Sequence, residues 1–194
     1  MDELEIEIKA YCKDLDSVKE KLFNLGAVYV QNKNERDMYF NHPCKDFGET
    51  DEALRIRTVD GNHTLTYKGP KLSENSKARV EQETIIEDVR SLNIILQNLG
   101  FVESGQVEKS RDYYSFEGID ICLDRINSLG DFVELELKGD NIEAVEGKLY
   151  DLAAKLNLNK FERRSYLELL YFSWFLFTKR NHKNIIGNDQ LLIF

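Results

Sequence analysis

Along most of the chain apolar and polar residues alternate with a period of two. Leu4, Ile6 and Ile8 oppose Glu5, Glu7 and Lys9. Leu54 and Ile56 oppose Arg55 and Arg57, and Leu65 and Tyr67 oppose Thr64, Thr66 and Lys68. Over 77–86 the polar set is Lys77, Arg79, Glu81 and Glu83. Over 119–125 Ile119, Ile121 and Leu123 oppose Asp120, Cys122 and Asp124. Over 132–138 Phe132 leads Val133, Leu135 and Leu137 against Glu134, Glu136 and Lys138. Successive side chains of a strand point to opposite faces, so each stretch predicts a strand with one apolar and one polar side. Helical spacing lies between them. Leu15 to Leu25 has Asp14 or Asp16 near its N-cap and Gly26 just past its end. Val89 to Leu99 is closed by Gly100, and Ile142 to Leu156 starts near Asp140 or Asn141. Asp60-Gly61-Asn62, Gly69-Pro70 and Gly130-Asp131 mark turns, and residues 41–52 and 70–77 read as exposed loops.

The two halves share an outline. Leu15 to Phe40 runs helix, Gly, then a long strand with Arg36-Asp37-Met38-Tyr39. Val89 to Phe116 runs helix, Gly, then a strand with Arg111-Asp112-Tyr113-Tyr114. The common Arg-Asp-x-Tyr pattern suggests a duplicated unit. Two units of about four strands make about eight, a number that closes a barrel around one small ligand. The expected fold class is therefore α+β, an eight-stranded antiparallel barrel with helices packed outside.

The charge on the polar faces sets this barrel apart. They carry Glu5, Glu7, Glu81, Glu83, Asp124, Glu134 and Glu136, and also Lys9, Arg55, Arg57, Lys68, Arg79, Lys109 and Arg111. Three amphipathic helices need an apolar surface, so the apolar faces point outward beneath them and the charges line a tunnel. Buried charge is costly unless paired or bound to a ligand. Clustered carboxylates suit hard divalent cations, and clustered Arg and Lys suit phosphates. Together they fit a polyphosphate with Mg²⁺ or Mn²⁺. No GxxxxGK, GxGxxG, HExxH or GxSxG occurs, and His42, His63 and His182 stand apart.

Composition adds limits. The 194 residues are 42% hydrophobic and 31% charged, enough for a sizeable core. The formal net charge of -9 argues against holding a nucleic acid or an anionic membrane by bulk attraction. Cys12, Cys44 and Cys122 form no CxxC pair and read as isolated buried or half-buried thiols in a reducing compartment. The acidic N-terminus has no signal-peptide pattern, which points to the cytoplasm. The apolar run Leu167 to Phe177 is shorter than the roughly 20 residues needed to span a bilayer.

An ordered set of segments resembles the CYTH superfamily, the triphosphate tunnel metalloenzymes. It begins with Glu5-Ile6-Glu7-Ile8-Lys9, the superfamily's ExExK signature. It continues through Leu54-Arg55-Ile56-Arg57, Leu65-Thr66-Tyr67-Lys68-Gly69-Pro70, Arg79-Val80-Glu81-Gln82-Glu83, Lys109-Ser110-Arg111 and Leu123-Asp124. It ends in Leu129-Gly130-Asp131-Phe132-Val133-Glu134-Leu135-Glu136. The Thr-Tyr-Lys-Gly-Pro and Leu-Gly-x-Phe-x-Glu segments look most like the class IV adenylyl cyclase branch. The resemblance implies an eight-stranded tunnel over residues 1–170, a divalent metal and a triphosphate substrate. It implies Glu5, Glu7, Glu134 and Glu136 as metal ligands, supported by Asp124 and by Glu81 or Glu83. Lys9, Arg55, Arg57, Lys68, Arg79, Lys109 and Arg111 would grip phosphates. Glu83 and Lys138 sit at strand ends, where solvation is the alternative. Arg163 or Arg164 either reaches the tunnel or merely precedes a final strand.

The superfamily hosts cyclisation of ATP to cyclic AMP and pyrophosphate, and hydrolysis of thiamine triphosphate or inorganic triphosphate. A barrel that binds a polyphosphate or nucleotide without turnover is the alternative of another class; the acidic cluster speaks against it. Residues 171–194, with the aromatic run Tyr171-Phe172-Ser173-Trp174-Phe175-Leu176-Phe177, depart from the family. Three roles are open to this extension: packing on the barrel, supporting a homodimer, or none that was selected.

Overall fold

A computed structural model describes residues 4–171; the expectations for the rest of the C-terminal extension lie outside the described residues. Residues 4–163 belong to one compact unit and 164–171 to another. The first holds β1 (Leu4–Cys12), α1 (Leu15–Leu25), β2 (Val28–Asn41), β3 (Ala53–Val59), β4 (Asn62–Lys68) and β5 (Glu81–Ile86). After these come α2 (Val89–Asn98), β6 (Val102–Phe116), β7 (Ile119–Ile126), β8 (Gly130–Gly139) and α3 (Ile142–Lys155).

The helix ends follow the local chemistry. The Asp14 carboxylate accepts from the Asp16 and Ser17 amides at the start of α1, and Gly26 ends it at φ 81°. Asp88 and Asn141 cap α2 and α3 in the same way through the Ser91 and Ala144 amides. Asn141, not Asp140, is the α3 cap.

All eight strands pair antiparallel in the order β1-β8-β7-β6-β2-β3-β4-β5. Exchanging β1–β4 with β5–β8 maps this order onto itself reversed, as a duplicated unit would. The Arg-Asp-x-Tyr repeat nevertheless marks the wrong register. Arg36 is exposed and pairs with Glu108 on the outside, whereas Arg111 is buried among inward-facing acids. Asp37, one residue on, occupies the inner face.

The stretch 77–86 is not one strand. Residues 77–79 instead form a strap that joins the sheet edges. Lys77 N donates to Glu7 O at 2.8 Å, Arg79 N to Glu5 O at 3.2 Å, and Glu5 N to Arg79 O at 3.3 Å. The strap breaks the pattern, and β5 begins at Glu81. Residues 166–171 are helical where the sequence reading has a final strand.

The apolar faces lie outward beneath the helices. Ile6, Ile8 and Ala10 of β1, Ile121 and Leu123 of β7 and Val133 and Leu135 of β8 pack with Leu15, Val18 and Leu22 of α1. Val145, Leu149 and Leu152 of α3 complete that layer. A second cluster sets Leu96 of α2 on Phe40, Leu54 and Ile56. Among the described residues no helix is long and apolar enough to cross a membrane.

Docking of the helices onto the barrel is testable. Leu149 is fully buried and Ile94 is half-exposed on α2. Leu149→Ala is expected to cost about 2–5 kcal/mol in urea denaturation, and Ile94→Ala within about 0.5 kcal/mol. Equal losses would contradict this packing.

Candidate active site

The inward faces carry the charges that the alternation assigns to them. Lys9 is 2% exposed, Asp124 0% and Asp37 1%, and Arg55, Arg79, Lys109, Arg111 and Glu134 are also buried. At this depth each charge needs a partner, because desolvation otherwise costs several kcal/mol.

One ionic group forms across β6, β7 and β8. Arg111 donates Nε and Nη2 to the Asp124 carboxylate at 2.6 and 2.5 Å, and Nη2 also to Glu134. These acids hold its pKa well above the ordinary arginine value, and Glu134, with Arg111 first and then Lys77 and Lys9 beside it, lies well below the usual carboxylate range despite burial. Asp124 and Glu134, two of the expected metal ligands, are therefore satisfied by Arg111.

A second group joins β2, β3 and β6. Arg57 donates Nε and Nη2 to Asp37 at 2.7 and 2.8 Å, and its Nη1 lies 3.0 Å from Glu35. Lys109 Nζ stands 2.8 Å from Glu35 and 3.1 Å from Asp37. Arg55 lies 3.6 Å from Asp37 and donates to Thr66 Oγ1 at 3.3 Å. Tyr113 donates its hydroxyl to Glu35. Burial pushes Glu35 upward, but Lys109, Arg111 and Arg57 win and hold its pKa at about 2.

Sequence reasoning missed Glu35 and Asp37. On β2 both faces are polar, with Asn32, Asn34 and Arg36 on one and Lys33, Glu35 and Asp37 on the other, so the period of two gives no inward direction. The detectable signal was the row of basic residues on neighbouring β3 and β6, which needed acids between them.

The third group is the acidic one. Glu5 and Glu7 of β1, Glu136 of β8 and Glu81 of β5 come together around Lys68 and Lys77. Lys68 donates to Glu81 and lies 3.9 Å from Glu5; Lys77 donates to Glu7 at 2.5 Å. Register sets Glu7 directly opposite Glu136. Burial first, then Glu5 and Glu7, push the Glu136 carboxyl up to about 9. Glu5 is also raised, by burial. Burial, then neighbouring Lys77, brings Lys9 down to about 7, and burial with Arg55 lowers Lys68. Lys77, missed as a site residue, is raised by Glu7 and Glu134 against its burial.

Two expected residues stand apart from these groups. Glu83 is exposed and accepts from Thr66 Oγ1 at 3.0 Å, while Arg79 is buried and lies 3.8 Å from Asp51. Lys138 is exposed, and Arg163 donates to the Ser73 carbonyl at 2.6 Å rather than to the inner acids. All three thiols are free. Cys122 is buried on the inner face and Cys12 half-buried, whereas Cys44 is exposed, unlike the expectation.

Among the described residues no three acids, histidines or cysteines converge as a ready-made metal centre; Lys68 and Lys77 lie between the acids. The donor set still fits a divalent cation. It is all carboxylate oxygen, and burial, then Glu5 and Glu7, raise the Glu136 carboxyl, so a divalent cation there would favour its ionised form.

The Glu35 group yields a pH prediction. A carboxyl held near 2 contributes stability above its ordinary value of 4.5 and loses it as pH falls from 4.5 to 2. Glu35→Gln should lower stability at pH 7 and flatten the acid limb in that window. An unchanged limb in chemical denaturation would contradict the pairing.

The CYTH domain model matches residues 3–166. A Methanocaldococcus jannaschii protein provisionally named an adenylate cyclase is 42% identical over 171 residues, covering 86% of this chain and 98% of its own length. The Aeromonas hydrophila adenylate cyclase CyaB is 28% identical over 173 residues, 85% of this chain and 87% of its own. The solved structure of the PH1819 protein from Pyrococcus horikoshii superposes with a TM-score of 0.81 at 41% identity, covering 87% of this chain and 99% of that one. The barrel order, the inward charges and these matches agree, and the chain belongs to the CYTH domain family.

Proposed function

We propose that this chain converts ATP to cyclic AMP and pyrophosphate with the triphosphate held inside the barrel and with Mg²⁺ or Mn²⁺ as cofactor. Family membership makes it an adenylyl cyclase-like or triphosphatase enzyme. The single observation that carries the reading is the opposition of cations and under-compensated acids in one lumen. A neutral ligand would exploit neither set.

Glu5, Glu7, Glu136 and Glu81 are the residues that would hold the cation. Asp124 and Glu134 support them from the Arg111 pair. Bound there, Mg²⁺ or Mn²⁺ supplies positive charge to phosphate oxygens and lowers the pKa of an attacking hydroxyl.

The chain's own residues do the rest. Arg55, Lys9, Lys68 and Arg79 grip phosphate oxygens. Burial disfavours the charged form of the two lysines, and an adjacent phosphate would favour it, so they would prefer an anion to water. Arg57, Lys109 and Arg111 add positive field from fixed positions, held by Glu35, Asp37 and Asp124. Phosphoryl transfer depends on such positioning and charge stabilisation more than on covalent chemistry. Cys122 does not act as a base, because burial pushes its thiol up and keeps it protonated. The name of the Aeromonas hydrophila relative and the Thr66-Tyr67-Lys68-Gly69-Pro70 segment support cyclisation over hydrolysis. Free Cys12, Cys44 and Cys122 support a reducing, cytoplasmic setting.

Two measurements test the reading. Separate incubations with ATP, thiamine triphosphate and inorganic triphosphate, each with Mg²⁺ or Mn²⁺, should yield cyclic AMP and pyrophosphate from ATP and lose activity with chelator. Orthophosphate without cyclic nucleotide would make the protein a triphosphatase, and tight binding without turnover a receptor. Arg55→Ala should weaken triphosphate binding by about 1–3 kcal/mol in calorimetry, the range for a charge-assisted hydrogen bond. Unchanged affinity would put Arg55 outside the binding track.

A further inference from the structure

The strap brings a lysine into the acidic group that neither the cation nor the phosphate role requires. Lys77 Nζ donates to Glu7 Oε1 at 2.5 Å and lies 3.7 Å from Glu134 Oε1. Lys9 Nζ lies 3.9 Å from the same Glu134 oxygen, so two ammonium groups share one edge of the acids. All three side chains beside Lys77 are largely shielded from solvent, with Glu7 at 15%, Glu134 at 11% and Lys9 at 0% exposure.

The backbone that carries Lys77 is fixed from both sides. Inside, its amide donates to the Glu7 carbonyl. Outside, the Tyr150 hydroxyl donates to Asn75 O at 2.6 Å, Arg163 to Ser73 O at 2.6 Å, and Ser73 Oγ to Glu146 Oε1 at 2.5 Å. Only the flexible four-carbon side chain is free to change partners. A divalent cation on Glu7 would meet the Lys77 ammonium as a like charge in a poorly screened interior, where such repulsion is strong.

We infer that Lys77 is a built-in counter-ion of the cation site, holding Glu7 until a divalent cation displaces it and so setting the affinity for that cation. Lys77 is a positioning residue here: it acts through Glu7 and touches no reacting atom. The inference rests on the proposed reading of Glu7 as a cation ligand. It differs from a purely mechanical role, in which Lys77 only pins the strap. A mechanical pin predicts lost stability and no gain in cation affinity when it is removed.

The test is Mn²⁺ binding to the full chain after chelator treatment, by electron paramagnetic resonance and calorimetry, with Mn²⁺ alone as probe. Lys77→Met should bind Mn²⁺ about tenfold more tightly or better, the effect of removing one neighbouring like charge. Lys77→Arg, which keeps the charge, should stay near the parent value. The melting temperature of Lys77→Met should be lower without metal and rise more on adding Mn²⁺ than the parent's does. Should Lys77→Met fail to fold, Lys77→Gln, which keeps a donor for Glu7, makes the same comparison. Equal or weaker Mn²⁺ binding by the neutral variant, with binding lost in Glu7→Gln, overturns this inference alone. Unchanged binding in Glu7→Gln overturns the cation reading of Glu7 and this inference with it.

Discussion

Buried charge has to be neutralised, and nearly every feature of this barrel answers to that demand. The helices cover the outer faces, so the inner faces must hold the Glu, Asp, Lys and Arg side chains of all eight strands and the strap. In such a space an isolated ion is unaffordable, and a removed partner costs about 3–5 kcal/mol. The result is a set of ion pairs with well-defined geometry. The acidic group around Glu136 is where neutralisation is least complete, and a cation and a phosphate chain would complete it there.

The duplicated fold meets this demand with opposite signs in its two halves. Asp37 of β2 accepts from Nε and Nη2 of Arg57 on the neighbouring β3. In the other half Arg111 of β6 donates from Nε and Nη2 to Asp124 of the neighbouring β7. The exchange that maps β2 onto β6 and β3 onto β7 thus turns an acid–base pair into a base–acid pair. Where β2 and β6 meet at the middle of the sheet, Glu35 faces Lys109 in register. Two like halves would have set acid against acid along that seam. The inversion also explains why the Arg-Asp-x-Tyr repeat misleads: it aligns residue types, whereas equivalent positions here carry opposite charge.

Much of this was legible in the sequence, wherever one strand face was apolar. Glu5, Glu7 and Lys9 alternate with Leu4, Ile6 and Ile8, and Glu134 and Glu136 with Val133 and Leu135, so their inward direction could be read directly. Glu35 and Asp37 could not, since β2 is polar on both faces. Lys77 was visible as part of a polar face but not as a member of the acidic group. Its place depends on the strap reaching across to β1, a contact between residues seventy apart that no local period encodes. The ion-pair partners were likewise out of reach, because spacing gives a face and not a neighbour.

The central claim is that the inner faces hold a triphosphate and a divalent cation at opposed groups. A crystal structure with a non-reactive ATP analogue and Mn²⁺ tests it most directly, with the metal located by anomalous scattering. The account predicts the Mn²⁺ peak beside Glu5, Glu7 and Glu136, with phosphate oxygens on Arg55 and Lys9. A triphosphate bound on the outer surface, or a metal peak away from these acids, would contradict it.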